Sequence, residues 1–316
     1  MTVSLLFVFL VVSSICQAGV KDFDNKISVA LVSVNHSYTL GLQSNLNNVD
    51  TTVNWRANTA SLSGTEISYK GLTLAYLTSN GLTKQNIDLR GHTSYEDIRG
   101  GLFFGPKKNW VFLGYYNRYK GFYLDNTLEV DPTANLYIQQ SHLETFNSGA
   151  ALMYVFNPDS FSAAAAYVQS AQQTSSGGSW LLLTSFDVNY IKDDEDIIPK
   201  VVENDFGNQM NFREGKFATT SLSIGYAYTF VWKKVFANLT FILGRGIQQK
   251  SYTYDSLTEN KTQNTDKSAL GYSLGYNGDS VYFGMSYVQD NNSFDVGTVR
   301  VRPLLNSSRI FLGIRF

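Results

Sequence analysis

From residue 222 to residue 230 every second side chain is large and apolar: Leu222, Ile224, Tyr226, Tyr228 and Phe230. Opposite them stand Ser221, Ser223, Gly225, Ala227 and Thr229. A β-strand sends successive side chains to opposite faces, so this stretch has one bulky apolar face and one small, weakly polar face. The same division recurs at residues 235–243, 270–276 and 281–287. These strands carry almost no charge on either face. A soluble sheet exposing one face would place Lys, Glu and Asp there. Bulk outside and small polar groups inside suit a transmembrane antiparallel β-barrel, with lipid around it and a snug lumen.

No helix competes with that reading. A spanning helix needs about 20 consecutive apolar residues, and no such run follows the N-terminus. Charged residues are 16% of the chain, while Tyr and Phe number 20 and 21, an aromatic and charge-poor mix for a globular protein. The formal net charge of −1 argues against a nucleic-acid partner held by phosphate contacts. Residues 1–18 read as a signal peptide with an apolar core from Leu5 to Val12 and cleavage after Ala18, although no Lys or Arg precedes the core. The single cysteine, Cys16, lies inside that leader. The mature chain, 19–316, therefore has no disulfide, thiolate metal site or cysteine nucleophile.

Along the chain, 26–36 alternates with Ile27, Val29 and Leu31 on one face. A polar stretch, 45–58, follows. Residues 62–69 and 72–78 flank Tyr69-Lys70-Gly71, a hairpin turn. Residues 87–95 read as a polar strand and 110–119 as an aromatic one. Residues 150–156 and 161–167 alternate on either side of Asn157-Pro158-Asp159, and 180–190 is a further strand. Trp232-Lys233-Lys234 and Asn277-Gly278-Asp279 punctuate the second half. Polar loops are expected near 120–145, 191–216, 247–266 and 290–307. Counting gives about 13 segments, but single-chain barrels use even numbers. The expected architecture is therefore all-β, a barrel of about 12 strands, with 14 the alternative.

The chain closes on Arg309-Ile-Phe-Leu-Gly-Ile-Arg-Phe316. Ile310, Leu312, Ile314 and Phe316 share the lipid-facing pattern. Arg309 and Arg315 fall on the other face and, with Arg245, are lumen candidates. Phe316 is expected at the periplasmic rim, with the last strand closing against the first near Ile27 to Leu31. Outer-membrane lipid and the barrel assembly machinery, reading the C-terminal strand, are the expected partners.

Several of these segments, in this order, resemble those of the bacterial outer-membrane family labelled domain of unknown function 4421. They are Ser68-Tyr-Lys-Gly-Leu72, Tyr119-Lys-Gly-Phe-Tyr-Leu124, Ala150-Ala-Leu-Met-Tyr-Val-Phe156, Gly225-Tyr-Ala-Tyr-Thr-Phe230, Gly275-Tyr-Asn-Gly-Asp279 and the closing strand. The resemblance covers nearly all of the mature chain and implies a transmembrane barrel. It supplies no functional residues, because the family has no agreed activity.

Groups able to do chemistry are sparse. On a strand, His92, Ser94 and Glu96 would share one face at i, i+2 and i+4. A serine activated by histidine and oriented by an acid is the constellation of hydrolases, here one acting on envelope lipids. No nucleophile elbow or oxyanion motif accompanies it, so no enzyme is expected. Asp193-Asp194-Glu195-Asp196 lacks the spaced ligands and glycine of a calcium loop and reads as solvated loop. No cofactor motif is present. Trp110, Trp180 and Trp232 read as interface anchors. Three roles follow: a narrow passive channel or structural surface barrel, a barrel enzyme, or a secreted β-sandwich that binds a partner.

Overall fold

The computed structural model describes residues 19–316 apart from 24, 47, 255 and 256; the signal peptide expected at 1–18 lies outside the described residues. The strands are β1 (Val20–Asp22), β2 (Ser28–Leu46), β3 (Val49–Arg56), β4 (Leu62–Tyr69), β5 (Leu72–Ser79), β6 (Ser94–Phe104), β7 (Trp110–Leu124) and β8 (Gln139–Val155). There follow β9 (Ala171–Gln173), β10 (Gly177–Lys192), β11 (Phe212–Trp232), β12 (Val235–Tyr254), β13 (Leu257–Asn277), β14 (Val281–Val296) and β15 (Val299–Arg315). Short helices are α1 (Lys84–Arg90), α2 (Thr127–Val130) and α3 (Ala163–Tyr167), with a 3-10 segment at Lys200–Gln209.

Thirteen strands form one antiparallel sheet that closes on itself through β15 and β2. The short pair β1–β9 stands apart from it. One of the thirteen, β3, pairs with the far half of β2 and with two residues of β7. Removing it leaves 13 − 1 = 12 strands around the near ring. The expected even number therefore holds. At the seam Leu312 pairs with Leu31 and Ile314 with Val29. Phe316 and Ile27 exchange backbone hydrogen bonds of 3.0 and 3.1 Å at the rim, which is where alternation alone had placed the closure.

Turn chemistry explains the short connections on that end. Lys70 and Gly71 both take positive φ, 49° and 81°, as a tight hairpin of primed type requires. Lys233 does so between β11 and β12 at 58°. The outward face is apolar around the barrel: Leu31, Ile67, Leu182, Leu239, Phe241 and Leu312 are all exposed. Aromatic pairs gather near the short turns, among them Trp110 with Tyr154 and Trp180 with Tyr226. An apolar girdle of this extent far exceeds what a soluble monomer exposes and suits lipid. It removes the β-sandwich alternative.

Four expectations need correction. Of residues 87–95 only Ser94 and Tyr95 are strand: Thr83 caps α1 by accepting from Asn86 N, and Gly91 ends it at φ 73°. Residues 161–167 are not a strand either. Four alanines there, the best helix formers, follow a Ser162 cap that accepts from Ala165 N. Alternating Ala with Ala carries no period, so the thirteenth segment of the sequence count was this helix. The polar stretches 247–266 and 290–307 are mostly strand, because β12 to β15 run on past the apolar girdle as hydrogen-bonded hairpins. The polar 45–58 likewise contains β3. Backbone ladders carry these extensions, and hydropathy cannot register them.

Candidate functional site in the lumen

The lumen is filled at both ends. At the end holding Phe316, α3 and the β1–β9 pair fold inward as a plug. Phe161 and Ala163 to Ala166 are buried there with Val111, Met153 and Leu181 of the wall. At the far end an apolar cluster of Leu40, Leu42, Val53, Trp55, Phe206 and Phe212 fills the interior. Trp55 Nε1 donates to the Ile197 carbonyl at 2.8 Å, which draws the 193–211 loop across this end.

Arg315 holds the plug. It projects inward from the last strand and is 3% exposed. Its guanidinium lies between the rings of Phe23 and Tyr282, at 4.3 and 4.0 Å from their centroids. It donates to the carbonyls of Gln169 and Gly278 and to Asn277 Oδ1 at 2.8 Å. Asn277 Nδ2 in turn donates to the Ala171 carbonyl at 2.9 Å, and Ser273 Oγ to that of Ala166 at 2.8 Å. Outside the membrane face, Lys21 and Lys234 both bond Asp279 and hold its carboxyl well below the usual carboxylate range. Five of these contacts, from Arg315 to Phe23 and Gln169, from Asn277 to Ala171, from Ser273 to Ala166 and from Lys21 to Asp279, tie the 19–23 and 163–173 segments to the wall.

Between the two fillings lies a polar layer of paired charges. Arg99 Nη2 meets Asp97 Oδ2 at 2.7 Å, and His36 Nε2 lies 3.6 Å from the same oxygen. Arg309 Nη2 meets Glu66 Oε1 at 2.7 Å. Lys267 pairs with Asp187, whose carboxylate also accepts from Tyr115 Oη at 2.7 Å and Ser185 Oγ at 2.9 Å. Some inward positions are not packed. By strand parity Leu113 of β7 and Val288 of β14 face the interior, yet they are 40% and 48% exposed. A chamber therefore opens at mid-lumen beside these charges.

The pairs fix the chamber's shape. Breaking a buried pair leaves an uncompensated charge and costs about 3–5 kcal/mol. Lys267→Met is expected to destabilise the barrel by that amount in urea unfolding from detergent micelles. Lys267→Met with Asp187→Leu should recover most of it. A single variant as stable as wild type would show the pair to be idle.

The sequence-level candidates fare differently. Arg309 and Arg315 are inward, as parity placed them. Arg245 is outward, a correction: its position shares parity with Leu239 and Leu243. It pairs with Asp266 at 3.3 Å, both highly exposed, in an outer groove of about 800 Å³ lined also by Leu182 and Leu222. Phe316 lies exposed on the rim. His92 precedes β6 and is exposed, while Ser94 and Glu96 point outward from it. Tyr116 Oη donates to Glu96 at 3.3 Å. Ser94 and Glu96 keep the expected shared face of β6, and His92 stands outside the strand, between the Gly91 cap of α1 and Ser94. Sequence reasoning missed Asp187 and Lys267. The usable signal was a lone acid inside the apolar 180–190 strand.

The family described as Domain of unknown function (DUF4421) matches residues 19–316. No curated protein matches the chain. Among solved structures the chain is similar to the outer membrane protease OmpT from Escherichia coli, at TM-score 0.40 and 7% identity over 93% of this chain and 98% of that one. It is similar to the attachment invasion locus protein Ail of Yersinia pestis at TM-score 0.24 and 16% identity, over 65% and 95%. It is also similar to the toluene transporter TodX of P. putida at TM-score 0.25 and 7% identity, over 92% and 88%. At these scores the barrel assignment stands on the strand ladders alone.

Proposed function

The chain belongs to the DUF4421 family, and from that premise we propose that it spans the bacterial outer membrane as a plugged barrel, a conduit shut at rest. The apolar girdle supports the membrane setting. The observation that carries the closed state is the Arg315 clamp, anchored on the wall at Gly278, Asn277 and Tyr282 and holding the plug through the Gln169 carbonyl and the Phe23 ring. A passive pore needs a wet, continuous path, and two packed fillings interrupt it. The charged mid-lumen layer is then the surface a permeant would meet once the plug moves, since ionisable groups at membrane depth mark pathways more often than packing. The assembly machinery reads the terminal strand ending in Phe316. No hydrolase is proposed, because His92 lies outside the strand that carries Ser94 and Glu96, and no hydrogen bond joins the three among the described residues.

The test is a planar-bilayer recording of the purified protein. Wild type is expected to show no steady conductance. A variant with residues 157–176 replaced by a short glycine-serine turn is expected to conduct steadily. A standing conductance in wild type would defeat the closed-state reading. A second reading, a surface-exposed barrel that presents its rim, is favoured by the long hairpins β12–β13 and β14–β15 beyond the girdle. A plug-deleted barrel that stays silent would favour it.

A further inference from the structure

The barrel wall contains two facing edges without a ladder. β5 and β6 pair only at Leu72 with Leu102 and Thr73 with Gly101. The opposite edge of each strand is fully paired, β5 with β4 and β6 with β7. Beyond Thr73 and Gly101 the two strands part. Closed barrels leave no open edge toward lipid, because unpaired backbone groups there have no water to turn to. Non-ladder backbone at this depth is tolerated only where it borders protein or a water-filled cavity. The mid-lumen chamber is such a cavity. Ala75 of β5 and Arg99 of β6, both inward by parity and both beside the gap, are exposed. So is Leu113 on the adjoining strand.

The chamber's charges do not balance. Arg99 is committed to Asp97, Lys267 to Asp187 and Arg309 to Glu66. Asp290, inward on β14, lies in the field of Lys267 and Arg99 but forms no ion pair among the described residues. One carboxylate is left over beside the paired charges, in a space whose apolar lining includes Ala75, Leu113 and Val288. An apolar chain and a hydrogen-bond-donating cation would satisfy both parts of that lining.

We propose that the β5–β6 gap is a lateral port between the membrane and the chamber, used by an amphipath with an apolar chain and a primary-amine head that docks on Asp290. The proposal rests on the membrane setting given above, but the port does not require the plug to move. Bilayer conductance therefore tests the plug and leaves the port untouched.

The probe is a long-chain alkylamine carrying a diazirine in its chain, incorporated into proteoliposomes and photolysed, with adducts mapped by mass spectrometry. Adducts are expected on inward positions near Leu113 and Val288 as well as on lipid-facing Phe241. Residues 19–316 contain no cysteine, so Tyr76→Cys with Ile98→Cys can be bridged across the gap by a short bismaleimide. Bridging should cut the inward adducts on the order of tenfold and leave Phe241 adducts unchanged, in protein whose heat-modifiable mobility shows an intact barrel. Asp290→Asn should lower inward labelling by the amine about tenfold, the worth of one charge-assisted hydrogen bond, and spare labelling by the matching alcohol. Absent inward adducts, or adducts indifferent to the bridge, would overturn the port. Equal amine labelling in Asp290→Asn would overturn the assigned head group.

Discussion

Changing Arg315 to alanine is expected to turn a silent barrel into one that conducts in bursts. Hydrogen bonds to a charged group are worth ~1.5–3 kcal/mol each. Only the bond to Gln169 joins plug to wall, and one such bond corresponds to a shift of about 10 to 10² in the docked-to-undocked ratio. The guanidinium joins the Gln169 carbonyl to Gly278 and Asn277 of the wall, so its loss frees the segment after α3. Gln169 sits at φ 53°, a conformation unfavourable for a non-glycine residue, which the clamp helps to hold. Amide hydrogen exchange over 163–173 should speed by the same factor as the open time grows. Tyr282→Leu removes one flanking ring and keeps the bonds. Stacking of a cation on a ring contributes ~0.5–2 kcal/mol, so the effect there should be smaller. Unaltered exchange over 163–173 in Arg315→Ala would mean that apolar burial of the alanine helix holds the plug without it.

Deleting Phe316 should impair assembly. Its backbone supplies both hydrogen bonds of the last rung, to and from Ile27, and its ring lies on the outward rim with 67% exposure. Removing the residue opens the ring where β15 meets β2. Phe316→Ala keeps the rung and loses only the aromatic anchor, so its phenotype should be intermediate. The measurement is the fraction of protein in the outer membrane with heat-modifiable gel mobility, expected to fall about tenfold on deletion, in line with the loss of one or two net hydrogen bonds at the closing seam. Insertion equal to wild type would show that closure depends on the upper rungs of β15, from Arg300 to Arg309, and not on the terminus.

These two tests concern residues that alternation located, and the reason is physical. Lipid demands an apolar outer face on every strand, so parity around Leu312 and Ile314 is enough to send Arg309 and Arg315 inward. The tight turn at Tyr69-Lys70-Gly71 was legible because few residues take the left-handed conformations it needs. Where that demand ends, legibility ends. Strand beyond the girdle is held by backbone bonds and looks like loop. An alanine run fits a period of 2 and of 3.6 equally well, which hid α3. Arg245 sits in strict register with Leu239 and Leu243, and its outward position was available from parity; its charge argued the other way and misled. Asp187 and Lys267 are 80 positions apart, and no local pattern joins them. The two packed fillings depend on loops folding back into the ring, which no strand count reveals.

Strand β3 gives the wall an unusual construction. Toward the far end the circuit runs β2–β3–β7 and bypasses β4, β5 and β6, so it has 12 − 3 + 1 = 10 strands where the near end has twelve. Trp55 and Arg56 join β7 through Leu124 and Tyr123, and Asp125 N adds a bond to the Asn54 carbonyl at 2.9 Å. That upper hoop is complete in itself. The β4–β5 hairpin and β6 hang beneath it like shutters, hinged on β2 at one side and on β7 at the other. They meet each other only at Leu72–Leu102 and Thr73–Gly101, so the spacing of the wall below the hoop and the width of the far mouth are set by separate ladders.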